Sequence, residues 1–126
     1  MDKREVDDWL RQYVSAWKSY DESDIKALFT EDASYRWHPW DEPKVGPEAI
    51  YEAWVAPDER DEPGTYDGEY RTIAVDGDSA VATGSSTYLE APDGAVRAVY
   101  DNCFVMSFED GRCKSFTEFF MERPKD

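Results

Sequence analysis

Residues 92–120, PDGAVRAVYDNCFVMSFEDGRCKSFTEFF, hold two long strand-like runs, one opened by Pro92-Asp93-Gly94 and the next by Glu109-Asp110-Gly111. Both triplets suit a three-residue hairpin loop with glycine in the left-handed position, which predicts the closing pairs Ala91 with Ala95 and Phe108 with Arg112. Counting outward sets Ser86 against Tyr100, Gly84 against Asn102, Asn102 against Glu118 and Phe104 against Phe116. These residues, with Tyr88 and Phe120, are expected to share one face of a sheet. Val99, Asp101, Cys103, Val105, Thr117 and Phe119 fall on the other. Asp76-Gly77 marks a further turn upstream, and Gly77, Gly94 and Gly111 are evenly spaced, so the strands from Thr65 onward predict an antiparallel meander.

The N-terminal half has the other periodicity. Val6, Trp9, Leu10, Tyr13, Val14, Trp17 and Tyr20 recur at helical spacing and predict one strongly apolar helix face. Asp21 is suited to cap a second, short helix ending near Thr30, with Ile25, Leu28 and Phe29 as its buried stripe. Ala33 to Trp37 alternates as a short strand until Pro39. Pro47 opens a third helix whose apolar face is Ile50, Tyr51 and Trp54. Trp40 to Gly46 is a loop by composition, and Ala56 to Gly64, with two prolines and many charges, is a second loop placed to act as a lid. Helices first and strands afterwards predict an α+β fold, a curved antiparallel meander wrapped around a long N-terminal helix with two further short helices, in one domain spanning residues 1–126.

Charge and inventory exclude several functions. Twenty-nine acidic residues against 14 basic ones give a net charge of -15, which opposes polyanionic nucleic acid and anionic lipid, because both need neutralising Lys and Arg. No nucleic-acid or membrane partner is therefore expected. No apolar run reaches the ~20 residues of a membrane helix and no signal core follows Met1, so a cytoplasmic protein is expected. Cys103 and Cys113 form no CxxC pair and are expected to be reduced. GxGxxG, GxxxxGK[ST] and GxSxG motifs are absent, and Asp76-Gly77-Asp78 is a turn rather than a ligand set. Neither a cofactor nor a metal is expected.

The chemistry that remains centres on His38, the single histidine of the chain, set in Tyr35-Arg36-Trp37-His38-Pro39-Trp40. An imidazole titrates near ~6.5 in water, where a general base at neutral pH is useful. Tyr13, on the helix facing the sheet, offers a phenol to polarise a carbonyl or stabilise an enolate. Glu118, flanked by Phe116 and Phe120, needs a partner if it points inward, and His38 or Asn102 is placed to supply one. His38, Tyr13 and Glu118 are the candidate catalytic residues. Trp17, Tyr35, Trp37, Trp40, Trp54, Tyr88, Tyr100, Asn102, Phe104 and Phe116 are the candidate lining of a pocket for a small, largely apolar molecule. Each also has a structural reading: His38 as a hydrogen-bonding group at a strand end, Tyr13 as core, Glu118 as a solvated strand residue, the tryptophans as filling.

The element order resembles the nuclear transport factor 2-like superfamily and, within it, the SnoaL-like group. The resemblance is carried by Tyr13-Val14-Ser15-Ala16-Trp17, Ile25 to Phe29 followed by Glu31-Asp32-Ala33, the stretch from His38-Pro39 to Gly46-Pro47-Glu48-Ala49-Ile50, and Asp110-Gly111-Arg112 leading into Thr117-Glu118-Phe119-Phe120. It implies a cystatin-like cone around a deep pocket and homodimers through the outer sheet face. It also implies cofactor-free proton chemistry of the kind run by ketosteroid isomerase and the polyketide cyclases. By the same resemblance Tyr13 falls at the isomerase's oxyanion tyrosine, His38 close to its aspartate base, and Asp101 nearest its second oxyanion donor. The chain departs from that pattern in having histidine at the base position and in a register that puts Asp101 on the face opposite Glu118. Two functions fit: a cofactor-independent isomerase, cyclase or hydrolase acting by general acid/base catalysis on an apolar carbonyl or epoxide compound, with His38 as base, Tyr13 as oxyanion donor and Glu118 orienting or relaying; or a non-catalytic ligand-binding or dimerisation module.

Overall fold

The first helix, α1 (Lys3–Ser19), starts where the sequence supplies a capping box: the Asp2 carboxylate accepts from the Glu5 N–H while the Glu5 side chain accepts from the Asp2 N–H. It stops at Tyr20, whose left-handed backbone (φ 53°) turns the chain. Asp21 caps α2 (Glu22–Lys26) as expected. That helix is shorter than its apolar stripe suggests, and Phe29 opens β1 (Phe29–Arg36) instead of closing the helix. This computed structural model describes residues 1–125. The remaining elements are β2 (Lys44–Val45), α3 (Pro47–Val55), β3 (Tyr66–Asp76), β4 (Ser79–Leu89), β5 (Val96–Glu109) and β6 (Arg112–Glu122).

These strands form one curved six-stranded sheet in the order β2-β1-β6-β5-β4-β3. The antiparallel meander over β3 to β6 is present. The sheet as a whole is mixed, because β1 joins β6 in parallel, Tyr35 opposite Phe116 and Arg36 opposite Thr117. A register break between Phe29 and Ser34 hides the first half of β1 from any alternation rule.

The β4–β5 register agrees with the expected pairing: Ser86 faces Tyr100 and Gly84 faces Asn102. The β5–β6 register is corrected by two residues. Asp110 and Gly111, both at positive φ, make a two-residue turn closed by Glu109 and Arg112, and a bulge follows at Ser107/Phe108. Phe104 therefore faces Glu118, Asn102 faces Phe120, and Met106 faces Phe116. One residue from the turn and one from the bulge leave the side-chain parity unchanged, so the expected faces hold although the partners do not.

The inner face of the sheet packs on α1 and α3 through an aromatic core. Phe116 stacks on Tyr35 at 4.7 Å and 8°, and lies 5.4 Å from Tyr13 and 4.8 Å from Phe104. Trp54 stacks on Trp17 at 4.0 Å and 11°. The Trp9 indole N–H donates to the Leu28 carbonyl at 3.0 Å, tying α1 to the chain entering β1. Cys113 is buried and Cys103 partly buried, both free thiols.

A polar contact near the start of α1 ties the helix to β3. β3 bulges between Thr72 and Ala74, and the Thr72 N–H donates to the Asp7 carboxylate at 2.9 Å, whose other oxygen accepts from Lys3 at 2.9 Å. Burial works to raise the Asp7 pKa, but the Thr72 and Lys3 bonds outweigh it and bring it down to about 2. A depressed carboxyl stabilises the fold above its unfolded pKa and loses that effect as pH falls towards the folded value. Asp7→Asn is expected to cost roughly 2 kcal/mol at pH 7, and the gap to the parent protein should close between pH 4 and pH 2 in urea unfolding. A constant gap across that range would contradict the assignment.

Candidate functional site

The even-numbered inner face of the meander and the C-terminal part of α1 enclose a cavity of about 400 Å³. Tyr13 and Trp17 of α1 line it together with Trp37 and His38 just past β1, Tyr66 and Tyr70 of β3, Ser86 and Tyr88 of β4, Tyr100 and Asn102 of β5, and Glu118 and Phe120 of β6. The loop after α3 contributes Asp58, Glu59 and Asp61 at the mouth. That loop is moored to α1: the Tyr20 hydroxyl accepts from the Asp61 N–H at 2.9 Å, and the Arg60 guanidinium lies 4.8 Å from the Tyr20 ring centre.

Glu118 stands at the end of a hydrogen-bond chain that crosses three strands. Asn102 donates its amide N–H to the carboxylate at 2.6 Å and accepts from the Ser86 hydroxyl at 2.9 Å. Ser86 has spent its one proton, so it accepts from Tyr70 at 2.5 Å, and Tyr70 in turn accepts from Tyr66 at 2.9 Å. Every donor points towards the carboxylate. Two glycines make room for this chain. A Cβ on Gly84 would sit 1.9 Å from the Glu69 carbonyl oxygen and 2.7 Å from the Tyr70 ring, and one on Gly68 would sit 2.3 Å from the Tyr66 hydroxyl.

Burial pushes the Glu118 carboxyl up to about 7, against the lowering effects of the Asn102 bond and the nearby His38. A carboxyl in that range is half ionised at neutral pH and is basic enough to take a proton. Burial likewise holds Tyr13 and Tyr35 well above the ordinary phenol range, so both are neutral donors; their hydroxyls lie 3.4 Å apart.

His38 takes a partner other than Glu118, while Glu118 takes Asn102, one of its two expected partners. Its Nδ1 lies 2.9 Å from the Asp41 carboxylate, one turn further along the loop. Its ring stacks on Trp40 at 4.9 Å and 15° and tilts against Phe120 at 5.3 Å. Among the described residues Glu118 has no hydrogen bond to His38. The two groups share the cavity as separate pairs, His38 with Asp41 and Glu118 with Asn102.

The other expected lining residues divide. Trp17, Trp37, Tyr88, Tyr100 and Asn102 face the cavity. Tyr35, Trp54, Phe104 and Phe116 are at most 1% exposed and form the packed floor beneath it, where α1 and α3 close over the sheet. Trp40 is 80% exposed and stands outside the rim. Asp101 belongs to the outer face, paired with Arg123 through two 2.8 Å bonds, so the position nearest the isomerase's second oxyanion donor points away from the cavity. Tyr66, Tyr70 and Asp41 carried no signal of their own in the sequence reading; Gly68 and Gly84, inside otherwise strand-like runs, were the available hint of a close approach.

A larger depression, about 990 Å³, is bounded by His38 and Trp40 and extends over Arg71, Asp101, Cys103, Phe119 and Met121 on the outer sheet face. Among the described residues no group of three or more His, Cys, Asp or Glu side chains is placed to hold a metal ion, and no helix is long and apolar enough to cross a membrane.

Residues 10–116 match the SnoaL-like domain family. The chain belongs to that family. Among solved structures, this SnoaL-like chain is similar to a candidate ketosteroid isomerase from Kribbella flavida, at 19% identity over 99% of this chain and 84% of that one, with a TM-score of 0.68. It is similar also to a nuclear transport factor 2-like protein with a cystatin-like fold from Novosphingobium aromaticivorans, at 18% identity over 93% and 80% of the two chains and a TM-score of 0.70. A third similar structure is an LEH-like epoxide hydrolase from M. tuberculosis, at 17% identity over 94% and 84% and a TM-score of 0.66. At these identities the likeness is one of fold. No curated protein matches the sequence.

Proposed function

We propose that this SnoaL-like domain binds a small, largely apolar carbonyl or epoxide compound in the inner cavity and acts on it by cofactor-free general acid/base catalysis. The observation that carries this reading is Glu118, a carboxyl raised to about 7 at the base of an aromatic cavity. Its carboxylate removes the proton from a carbon next to the carbonyl, the C–H electron pair moves into the carbonyl, and the neutral Tyr13 hydroxyl donates to the developing oxyanion. Asp41 holds His38 by Nδ1, leaving Nε2 to exchange the proton with the substrate or water. Towards an epoxide the same pair would activate a water and protonate the opening ring oxygen. The candidate isomerase and the epoxide hydrolase share the fold at under 25% identity, which agrees with such chemistry without selecting a substrate.

The test is α-proton exchange into D₂O for a panel of flat aryl ketones, with aryl epoxide hydrolysis run beside it. The rate should rise with pH to a plateau above about 7, and His38→Gln should lower it by about 10²-fold while leaving ligand affinity in place. Binding without exchange or hydrolysis in every class would reduce the protein to a ligand-binding module.

The outer face is proposed to pair with a second copy of the chain. Ile73, Val105, Phe119 and Met121 are 45% to 76% exposed there, more apolar surface than a lone sheet face normally leaves in water. Light scattering should give twice the 14.5 kDa chain mass, and Val105→Glu with Phe119→Glu should return it to one. A monomeric parent protein would contradict the pairing.

A further inference from the structure

The lining of the inner cavity is aromatic and acidic together. Tyr88, Tyr100 and Phe120 stand wall against wall: Tyr88 and Tyr100 meet at 5.7 Å and 85°, Tyr100 and Phe120 at 5.6 Å and 80°. All three rings border the cavity, and the electron-rich face of an aromatic ring attracts an ammonium group. Four carboxyl groups, Asp58, Glu59, Asp61 and Glu118, face the same space, against one guanidinium, Arg97, and one imidazole, His38. The chain's net charge of -15 adds a field that concentrates cations and repels anions at any opening.

One of these walls already receives a cation from the protein itself. The Arg97 guanidinium lies 5.4 Å from the Tyr88 ring centre, and Arg60 takes the same position over Tyr20 where the loop is moored. Arg97 is an exposed side chain, free to exchange its place over Tyr88 for that of a ligand.

We infer that the ligand of this cavity is a cation: a flat, largely apolar body carrying a protonated or quaternary amine, with the charge seated among Tyr88, Tyr100 and Phe120 and answered by Asp58, Glu59, Asp61 and Glu118. This rests on the reading of the inner cavity as the binding site and narrows its substrate class to amine-bearing carbonyl or epoxide compounds. Neutral aryl compounds of the same shape bind more weakly, and carboxylates and phosphates are turned away.

Three probes of one size separate the possibilities: phenyltrimethylammonium, its neutral isostere tert-butylbenzene, and benzoate. Binding is read from the fluorescence of Trp17 and Trp37, which line the cavity. The cation should bind about tenfold more tightly than the isostere, and benzoate should not bind. Phe120→Leu should weaken the cation about threefold more than it weakens the isostere, and the double variant Asp58→Asn with Glu59→Gln on the exposed loop should weaken the cation about threefold or more with a smaller effect on the isostere. Near-UV circular dichroism confirms that each variant is folded. An isostere that binds as well as the cation overturns the inference while leaving the cavity a binding site. Failure of all three probes overturns the inference and the cavity reading together.

Discussion

Replacing Glu118 with glutamine is expected to abolish catalysis and strengthen the fold at the same time. The glutamine keeps the shape and can still accept from Asn102, but it cannot take a proton, so exchange activity should fall by about 10²- to 10⁴-fold. The stability effect follows from burial. In the unfolded chain this carboxyl loses its proton near pH 4.5, and in the fold it holds the proton to about 7. Between those values the folded state binds more protons than the unfolded one, so its stability falls as pH rises. The contribution is fully present below pH 4.5 and lost by about 7. At pH 8 Glu118→Gln should therefore be more stable than the parent by roughly 2–3 kcal/mol, with the difference vanishing at pH 4. Equal stabilities at pH 8 would mean that the carboxylate is well solvated or paired, and no longer a base of the required strength. Activity and stability moving in opposite directions is the signature of a site held against the preference of the fold.

Trp54→Ala is expected to be the most damaging single change, costing about 3–5 kcal/mol. Its indole has no exposed surface, stacks on Trp17, and meets the edges of Tyr13 and Phe29 at 5.5 and 6.1 Å. No neighbour collapses into the space left, because those rings are held by their own contacts with Phe116 and Tyr35. Among the described residues the indole N–H has no hydrogen-bond partner, so Trp54→Phe should cost far less than alanine: it removes an unsatisfied donor together with some of the volume. Trp40→Ala, at the exposed rim, should stay within about 0.5 kcal/mol of the parent. Guanidinium unfolding with an unchanged slope checks all three. A Trp54→Ala variant as stable as Trp40→Ala would show that the aromatic core is loosely packed.

The contrast between these tryptophans marks where sequence reading succeeds and where it stops. Helical spacing from Val6 to Tyr20 was enough to place α1 and its buried face, because a 3.6-residue period survives any loop. Asp21 as a cap and Pro47 as a helix start were equally local. The faces of β5 and β6 were also legible, and with them the separation of Asp101 from Glu118, although the partners were two residues off; an unseen bulge and a shorter turn cancelled in parity. What no local pattern reveals is the parallel pairing of β1 with β6, which depends on where the α1–α2 pair delivers the chain.

The site was legible in the same proportion. Tyr13, His38 and Glu118 were singled out by residue type and face, and all three line the cavity. The partners were not. Asp41 reaches His38 through a loop conformation, and Tyr66, Tyr70 and Ser86 connect to Asn102 only once the registers of β3, β4 and β5 are fixed together. Trp54, Phe104, Phe116 and Tyr35 looked like pocket lining because aromatic composition does not distinguish a wall from the packing behind it; depth beneath α1 and α3 does.

The carboxyl of Glu118 is the group on which the proposed chemistry depends, and ¹³C NMR titration of its side-chain carbon measures its pKa directly. A midpoint at about 7 is the predicted result. A midpoint in the ordinary glutamate range, near 4.3, would contradict the claim that this cavity holds a base.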